Sequence, residues 1–174
     1  MKGQVIGAKM GNGYAGSYSR QPDSIINTLP ASGDIAFGEA TVRHDGKIMS
    51  IPTYHLTSSS ALFAAALFEG VAVREVKSAT NYLSQNAGSY TTGDAVPVIE
   101  RGSVNVICQK GTPAQGGDVY VRKEANSSYP TCKVGGFEAA ADSTKTEKLT
   151  NAQWGGAADS NGVAELVILQ RINA

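Results

Sequence analysis

The sequence contains little cysteine, little charge and no long apolar run, and each shortage excludes a class of protein. Only 17% of its 174 residues are charged, and the 15 basic residues balance the 15 acidic ones. Proteins that bind nucleic acid or anionic membranes usually carry a basic excess, so the balanced charge argues against both partners. The longest apolar run, residues 61–68, is far too short to cross a bilayer. We therefore expect neither nucleic acid nor a membrane as a partner.

Residue types that carry catalysis are scarce, and they form no recognised motif. Of the two histidines, His44 lies in a predicted turn, and the only two cysteines, Cys108 and Cys132, lie in no nucleophile motif. The loop carboxylates of Asp142 and Asp159 lack the spacing of a calcium-binding loop. We predict no catalytic residue, no metal site and no cofactor, and therefore no enzymatic activity. A small cysteine-dependent enzyme is the alternative, which fast thiol labelling at neutral pH would support.

The sequence does contain many short valine-rich segments separated by Gly, Asp, Asn and Pro, a pattern typical of strands joined by tight turns. The 20 glycines suit a chain with many turns. We predict a mainly-β fold, either an antiparallel sandwich or a small barrel. The predicted strands cover residues 34–43, 48–55, 96–99, 103–109, 118–123 and 163–172.

One short helix is predicted over residues 58–68, where a serine precedes the helix-forming run ALFAAALF and Gly70 follows it. An apolar strand is the alternative there, because so short a run does not reveal its period. Residues 1–33 show neither a period of 2 nor of 3.6 and are rich in Gly, Ser and Asn. We predict that they form an extended N-terminal arm, and that residues 34–174 form a single β-rich domain. Whether the arm packs on its own domain or on a partner is left open.

The predicted last strand is apolar at both alternating positions, since Leu166 and Ile168 flank Val167 and are followed by Leu169. Both of its faces should therefore be covered, one by the core and the other by a helix of the same chain or a neighbouring subunit. Leu166 and Ile168 are our candidates for a subunit interface. The single tryptophan, Trp154, is predicted to be a core anchor.

Several phrases of the sequence resemble, in the same order, the structural cement (head decoration) proteins of tailed bacteriophages. No phrase is a catalytic signature, and the specificity lies in their shared order. The phrases are GYAG at residues 13–16, RQPDSII at 20–26, DIAFG at 34–38, GVAVREVK at 70–77, GDAVPVIERGS at 93–103, GTPAQGGDVYV at 111–121 and GVAELVI at 162–168.

This resemblance implies a structural protein of the virion. Such a protein is made in the host cytoplasm and binds the outer surface of an assembled head, which it stabilises by bridging subunits of the major capsid protein. The resemblance also implies a homo-oligomer, a trimer or a dimer. Tyr14, Tyr18, Arg20 and Pro22 of the arm are our candidate capsid contacts, because Tyr and Arg are favoured at interface hot spots. The alternative is a carbohydrate- or receptor-binding β-module of a virion.

Overall fold

A computed structural model describes residues 11–58, 62–75 and 88–171 of the chain. These residues form a mainly-β fold with one α-helix, α1 (Ile51–Thr57), and two short 3₁₀ turns, at Ala65–Leu67 and Ser143–Lys145. The strands are β1 (Tyr18–Pro30), β2 (Ile35–Ala36), β3 (Ala40–His44), β4 (Lys47–Ser50), β5 (Phe68–Ala72), β6 (Ser89–Tyr90), β7 (Ala95–Ile107), β8 (Asp118–Arg122), β9 (Phe137–Glu138), β10 (Thr146–Trp154) and β11 (Val163–Ile168).

Nine of these strands form one antiparallel sheet, and β2 pairs with β6 separately. The order in the large sheet is β4-β3-β5-β7-β11-β10-β8-β9, and β1 also pairs with β7. The sheet curls into a half-barrel. A parallel bridge between Cys108 and Phe137 joins the chain just after β7 to β9. The predicted mainly-β class is therefore confirmed.

The central strand β7 carries apolar side chains on both faces. Ile99 and Val104 belong to the larger core, which also contains the fully buried Trp154, whereas Val98 belongs to a second, smaller core. Before Gly102, the odd-numbered Ile99 packs in the larger core. After Gly102, the even-numbered residues, such as Val104, pack there instead. The φ of Gly102 is +119°, and the change of parity falls at this residue. Trp154 is thus the core anchor that the sequence predicted.

The helix does not lie where the sequence predicted it. Helix α1 spans Ile51–Thr57 and so overlaps the predicted return strand 48–55, and that strand ends at Ser50. Pro52 lies in the first turn of α1, where its missing N–H costs no hydrogen bond. In the described part of residues 58–68 the structure contains only the 3₁₀ turn Ala65–Leu67. Residues 59–61 of the prediction lie outside the described residues.

Much of the predicted N-terminal arm is a strand. β1 runs antiparallel to β7, from the pair Tyr18 and Val104 to the pair Pro30 and Ala95. Just before β1, the Gly16 N–H donates to the Asn105 carbonyl oxygen at 2.7 Å. The described residues of the arm therefore pack on the domain predicted to begin at residue 34.

Candidate functional site

Strand β1 bulges away from β7 between Arg20 and Ile25. Arg20 pairs with Ser103 and Ile25 pairs with Arg101, so four residues of β1 stand against Gly102 alone. We call these four residues, 21–24, the protrusion. Their main chain passes so close to Gly102 that a Cβ there would lie 2.6 Å from the carbonyl oxygen of Asp23. The protrusion thus depends on a residue without a side chain.

Two ion pairs hold the protrusion at its base. Arg20 binds Glu165 on β11 through both ends of its guanidinium, with Nε 2.7 Å from Oε1 and Nη2 donating to Oε2 at 2.9 Å. Asp23 lies 3.3 Å from the Arg101 guanidinium. The side chain of Arg20 remains 70% exposed although it is held in this ion pair. Its orientation is therefore fixed before any partner arrives, which lowers the entropic cost of binding.

A groove of about 400 Å³ separates the protrusion from the end of β11. Arg20 and Pro22 line one side of it, and Val167 and Leu169 line the other. Leu169 is 49% exposed, and Pro22 is also exposed. The structure therefore brings two predicted capsid contacts together with the outward-facing side chains of the strand predicted to form a subunit interface.

The side chains of the two residues named for that interface are buried. Leu166 is fully buried and Ile168 is 1% exposed, and both pack in the larger core of their own chain. Because side chains alternate along a strand, Val167 and Leu169 face outward instead. Within the single chain, Leu166 and Ile168 therefore face the core. The sequence could not distinguish the two faces, because both are apolar.

Tyr14 and Tyr18 differ in their exposure. Tyr14 is 70% exposed, and its ring centroid lies 4.9 Å from the guanidinium carbon of Arg74, which also lies 5.8 Å from the ring of Phe37. Tyr18 is half-buried, and its hydroxyl donates to Glu75 Oε1 at 2.7 Å. Burial, together with this hydrogen bond, raises the pKa of Tyr18. Tyr14 is therefore free to contact a partner, whereas Tyr18 also supports the fold.

A second cavity, of about 290 Å³, is lined by Ala15 and Phe37. It lies next to the cluster of Tyr14, Arg74 and Phe37 described above. Its walls are mostly apolar, with Ile107 and Val134 among them, and Glu39 is the one acidic residue that lines it in the described part of the chain. The Ala36 N–H donates to Glu39 Oε2 at 2.9 Å. Burial raises the pKa of Glu39 to about 7, an effect that the Ala36 N–H and Lys133 only partly oppose. We call this space the Glu39 cavity.

The residues considered for catalysis or metal binding make structural contacts, and Cys108 lies close enough to Cys132 for the two thiols to interact electrostatically. Cys108 is half-buried, which raises the pKa of its thiol, and Cys132 is buried; neither forms a disulfide. Asp142 binds Arg122, which lowers the pKa of Asp142, and Asp159 accepts main-chain N–H groups. Among the described residues, no group of three His, Cys, Asp or Glu could hold a metal ion. Nor does the described part of the chain contain a helix of the length and hydropathy needed to span a membrane.

Three residues that shape the protrusion, the groove and the Glu39 cavity were not predicted: Gly102, Glu165 and Glu39. Residues 100–102 were predicted to join two strands, but β7 runs unbroken through them. A signal existed for Glu165, which is the one charged residue in an otherwise apolar strand. Glu39 stands between Gly38 and Ala40 without any such pattern. Only the tertiary structure shows that its carboxylate lines a cavity.

These features define a β-rich structural or binding protein, with a protrusion, a groove and a cavity on a curled sheet. One known protein family matches almost the whole chain. The sequence model described as "Structural cement protein (E217 gp24/Pam3 gp6)" matches residues 2–169. The chain belongs to this family of phage structural proteins, so its role is structural and is associated with the virion capsid. Membership is consistent with the expectation that the chain is not an enzyme.

The fold is also found in a solved capsid structure. A chain from "The capsid of Myoviridae Phage XM1" is similar with a TM-score of 0.64 and 13% sequence identity. The similarity covers 97% of this chain and 98% of that chain. No curated protein matches the sequence. At 13% identity, the similarity to the capsid chain establishes only the fold. The structural role follows from the family match.

Proposed function

We propose that the protein binds the outer surface of an assembled phage head and stabilises it by bridging subunits of the major capsid protein. The observation that carries this proposal is the protrusion, which two ion pairs hold beside a groove lined by both polar and apolar residues. Together with the exposed Tyr14, it offers a preformed contact surface on a rigid sheet. The protein would be made in the host cytoplasm and would join the head after assembly.

The physical basis of such a role is linkage. A protein that binds the assembled lattice but not its separated subunits stabilises the lattice, by about 4 kcal/mol at a thousandfold excess over its Kd. No large interface is required at each contact if several contacts form at once, because the second and later contacts are intramolecular. A homo-oligomer, dimer or trimer, would supply that multiplicity. We propose that the outward-facing Val167 and Leu169, rather than Leu166 and Ile168, contribute to its subunit contact.

Co-sedimentation with expanded cognate heads that lack the protein tests this function, and cryo-electron microscopy of the pellet then locates the bound chain. Replacing both Tyr14 and Pro22 by Ala should weaken binding by about tenfold, equivalent to about 1.4 kcal/mol, without unfolding the chain. Leu56→Ala is the matched control, because Leu56 is 87% exposed but lies on α1, outside this surface.

The outcomes of this experiment separate the surface from the function. Saturable binding with density on the outer surface, lost in the double variant and kept in Leu56→Ala, would support both. Unchanged binding of the double variant would remove this surface from the proposal. Absence of binding by the folded wild-type chain would overturn the function itself. A glycan screen would then examine the carbohydrate-binding alternative, although the buried Trp154 offers no stacking surface for a sugar.

A further inference from the structure

The Glu39 cavity combines apolar walls with a carboxylate that has no basic partner. In the part of the chain that the structure describes, the Ala36 N–H is the hydrogen-bond donor to Glu39, and no Lys or Arg lies within ion-pair distance. Lys133, the one basic residue among those lining the cavity, acts on Glu39 only at longer range. A partly buried charge without a counter-ion is unfavourable. An incoming cation would relieve this cost.

We propose that the Glu39 cavity receives a lysine or arginine side chain of the major capsid protein, with Glu39 as its counter-ion. This inference rests on the proposed head-binding function and adds the chemistry of one contact. The apolar walls, which include Phe37 and Val134, suit the methylene stem of such a side chain, and Glu39 suits its charged end. The cavity also adjoins the cluster of Tyr14 and Arg74, because Ala15 and Phe37 line it.

The size of the cavity favours one side chain over a larger ligand. Its volume of about 290 Å³ lies at the lower end of the roughly 300–1,000 Å³ typical of small-molecule pockets. A closely fitted pair between a carboxylate and a basic side chain, partly shielded from water, is the kind of contact that sets partner specificity. Loss of one member costs more than loss of an exposed pair, since the other member is left without a partner.

The ionisation of Glu39 makes this contact dependent on pH. The pKa of Glu39 is raised to about 7 in the free protein by burial, so the carboxylate that must bind a cation is only half populated at neutral pH. The ionised fraction rises from about 0.1 at pH 6 to about 0.9 at pH 8, and the apparent affinity scales with that fraction. Binding through Glu39 should therefore strengthen by about tenfold between pH 6 and pH 8.

A purely structural role for Glu39 is the competing explanation, since its carboxylate accepts the Ala36 N–H and its own N–H donates to the Ala36 carbonyl oxygen at 3.3 Å. The variant Glu39→Gln separates the two roles. Its amide oxygen can still accept the Ala36 N–H, but the charge is gone. If Glu39 served only this turn, Glu39→Gln would bind heads like the wild type. Asp45→Asn is the matched control, because Asp45 is highly exposed in the β3–β4 turn.

The test is head binding by the full-length chain at pH 6, 7 and 8. We expect the wild type and Asp45→Asn to bind about tenfold more tightly at pH 8 than at pH 6. Glu39→Gln should bind weakly at every pH, with no such dependence, while its midpoint of urea unfolding is not reduced. If Glu39→Gln matches the wild type in affinity and pH profile, the inference is overturned while the proposed function stands.

A second measurement does not depend on heads. n-Butylammonium, which has the charge and the chain of a lysine, is titrated into the protein at pH 8 and followed by amide NMR. Saturable shifts at Ala15 and Gly38 in the wild type, absent in Glu39→Gln, would support the cation site even if head binding fails. Shifts that are equal in the two proteins, or absent from both, would overturn it.

Discussion

The buried arginine of β8 provides a sharp test of what holds this sheet together. The side chains of Arg122 and its partner Glu138 on β9 are both fully buried, and Arg122 Nε forms an ion pair with Glu138 Oε1. The same guanidinium reaches Asp142, with 2.7 Å between Nη2 and Oδ2. Arg122 therefore ties β8, β9 and the loop before β10 together. Arg122→Met would fill much of the same volume while leaving the Glu138 carboxylate buried without its cation.

The expected cost of Arg122→Met is large. Removing one partner of a buried pair typically costs 3–5 kcal/mol, because the remaining charge is uncompensated. For a chain of this length, 1 kcal/mol corresponds to about 2–4 °C in Tm, so a fall of roughly 6–20 °C is expected. The double variant Arg122→Met with Glu138→Leu should recover most of the loss, since an apolar pair can replace a buried ion pair at little cost.

Urea unfolding at pH 7, followed by tryptophan fluorescence and circular dichroism, measures these differences. Lys148→Met is the control, because Lys148 forms an exposed pair with Asp118 whose loss should leave the free energy of unfolding almost unchanged. The reasoning is refuted if Arg122→Met unfolds within about 1 kcal/mol of the wild type. It is also refuted if the double variant is no more stable than the single one.

The same network predicts a dependence on pH. Hydrogen bonding to Arg122 is the main cause that lowers the pKa of Asp142, so this carboxylate is more acidic in the folded state than in the unfolded state. Its stabilising contribution is therefore present above its unfolded pKa and is lost as the pH falls through its folded pKa. Arg122→Met lacks this contribution. The difference in stability between wild type and Arg122→Met should narrow as the pH falls below about 5 and through the lowered pKa of Asp142, and a constant difference would contradict this account.

Three further predictions concern the surface and the core. Gly102→Val should displace the protrusion, because its Cβ would collide with Asp23, and should weaken head binding as well as lower the Tm; an unchanged affinity in the co-sedimentation assay would contradict this. Trp154→Ala should cost about 3–5 kcal/mol in urea unfolding, as expected for a fully buried aromatic. Tyr18→Phe should cost about 0.5–1.5 kcal/mol, because only the hydrogen bond to Glu75 is removed.

Strands joined by a turn of characteristic sequence could be predicted from the sequence. The hairpin of β3 and β4 is an example, because Asp45 and Gly46 form its two-residue turn with φ of 49° and 72°. The helix was predicted in the wrong place because residues 48–55 were interpreted as a strand that includes Pro52, although proline is also common in the first turn of a helix. Local sequence does not separate these two roles. Burial of Ile51 and Tyr54 against the sheet decides between them.

Gly102 was misinterpreted for a similar reason. A glycine after Glu100 and Arg101 indicates a turn when only neighbouring residues are considered. In the structure its positive φ and missing side chain serve a contact with residues 23 and 24, which lie almost eighty positions earlier in the chain. Such a requirement is tertiary, so no local pattern reveals it. The same holds for Glu39, whose environment is assembled from separate segments that include Phe37, Ile107 and Val134.

The last strand shows why the family could be identified before the contact surface. Its apolar residues recur in the order typical of the family, but both of its faces are apolar, so the pattern alone does not show which side chains face out. Glu165 determines which face of the strand points outward, because its carboxylate pairs with the exposed Arg20. Leu166 must then face the core, and Val167 the groove. Val167 and Leu169 on this outward face contribute little to the core, so if they form the proposed subunit contact, their variants should alter head binding with little change in stability.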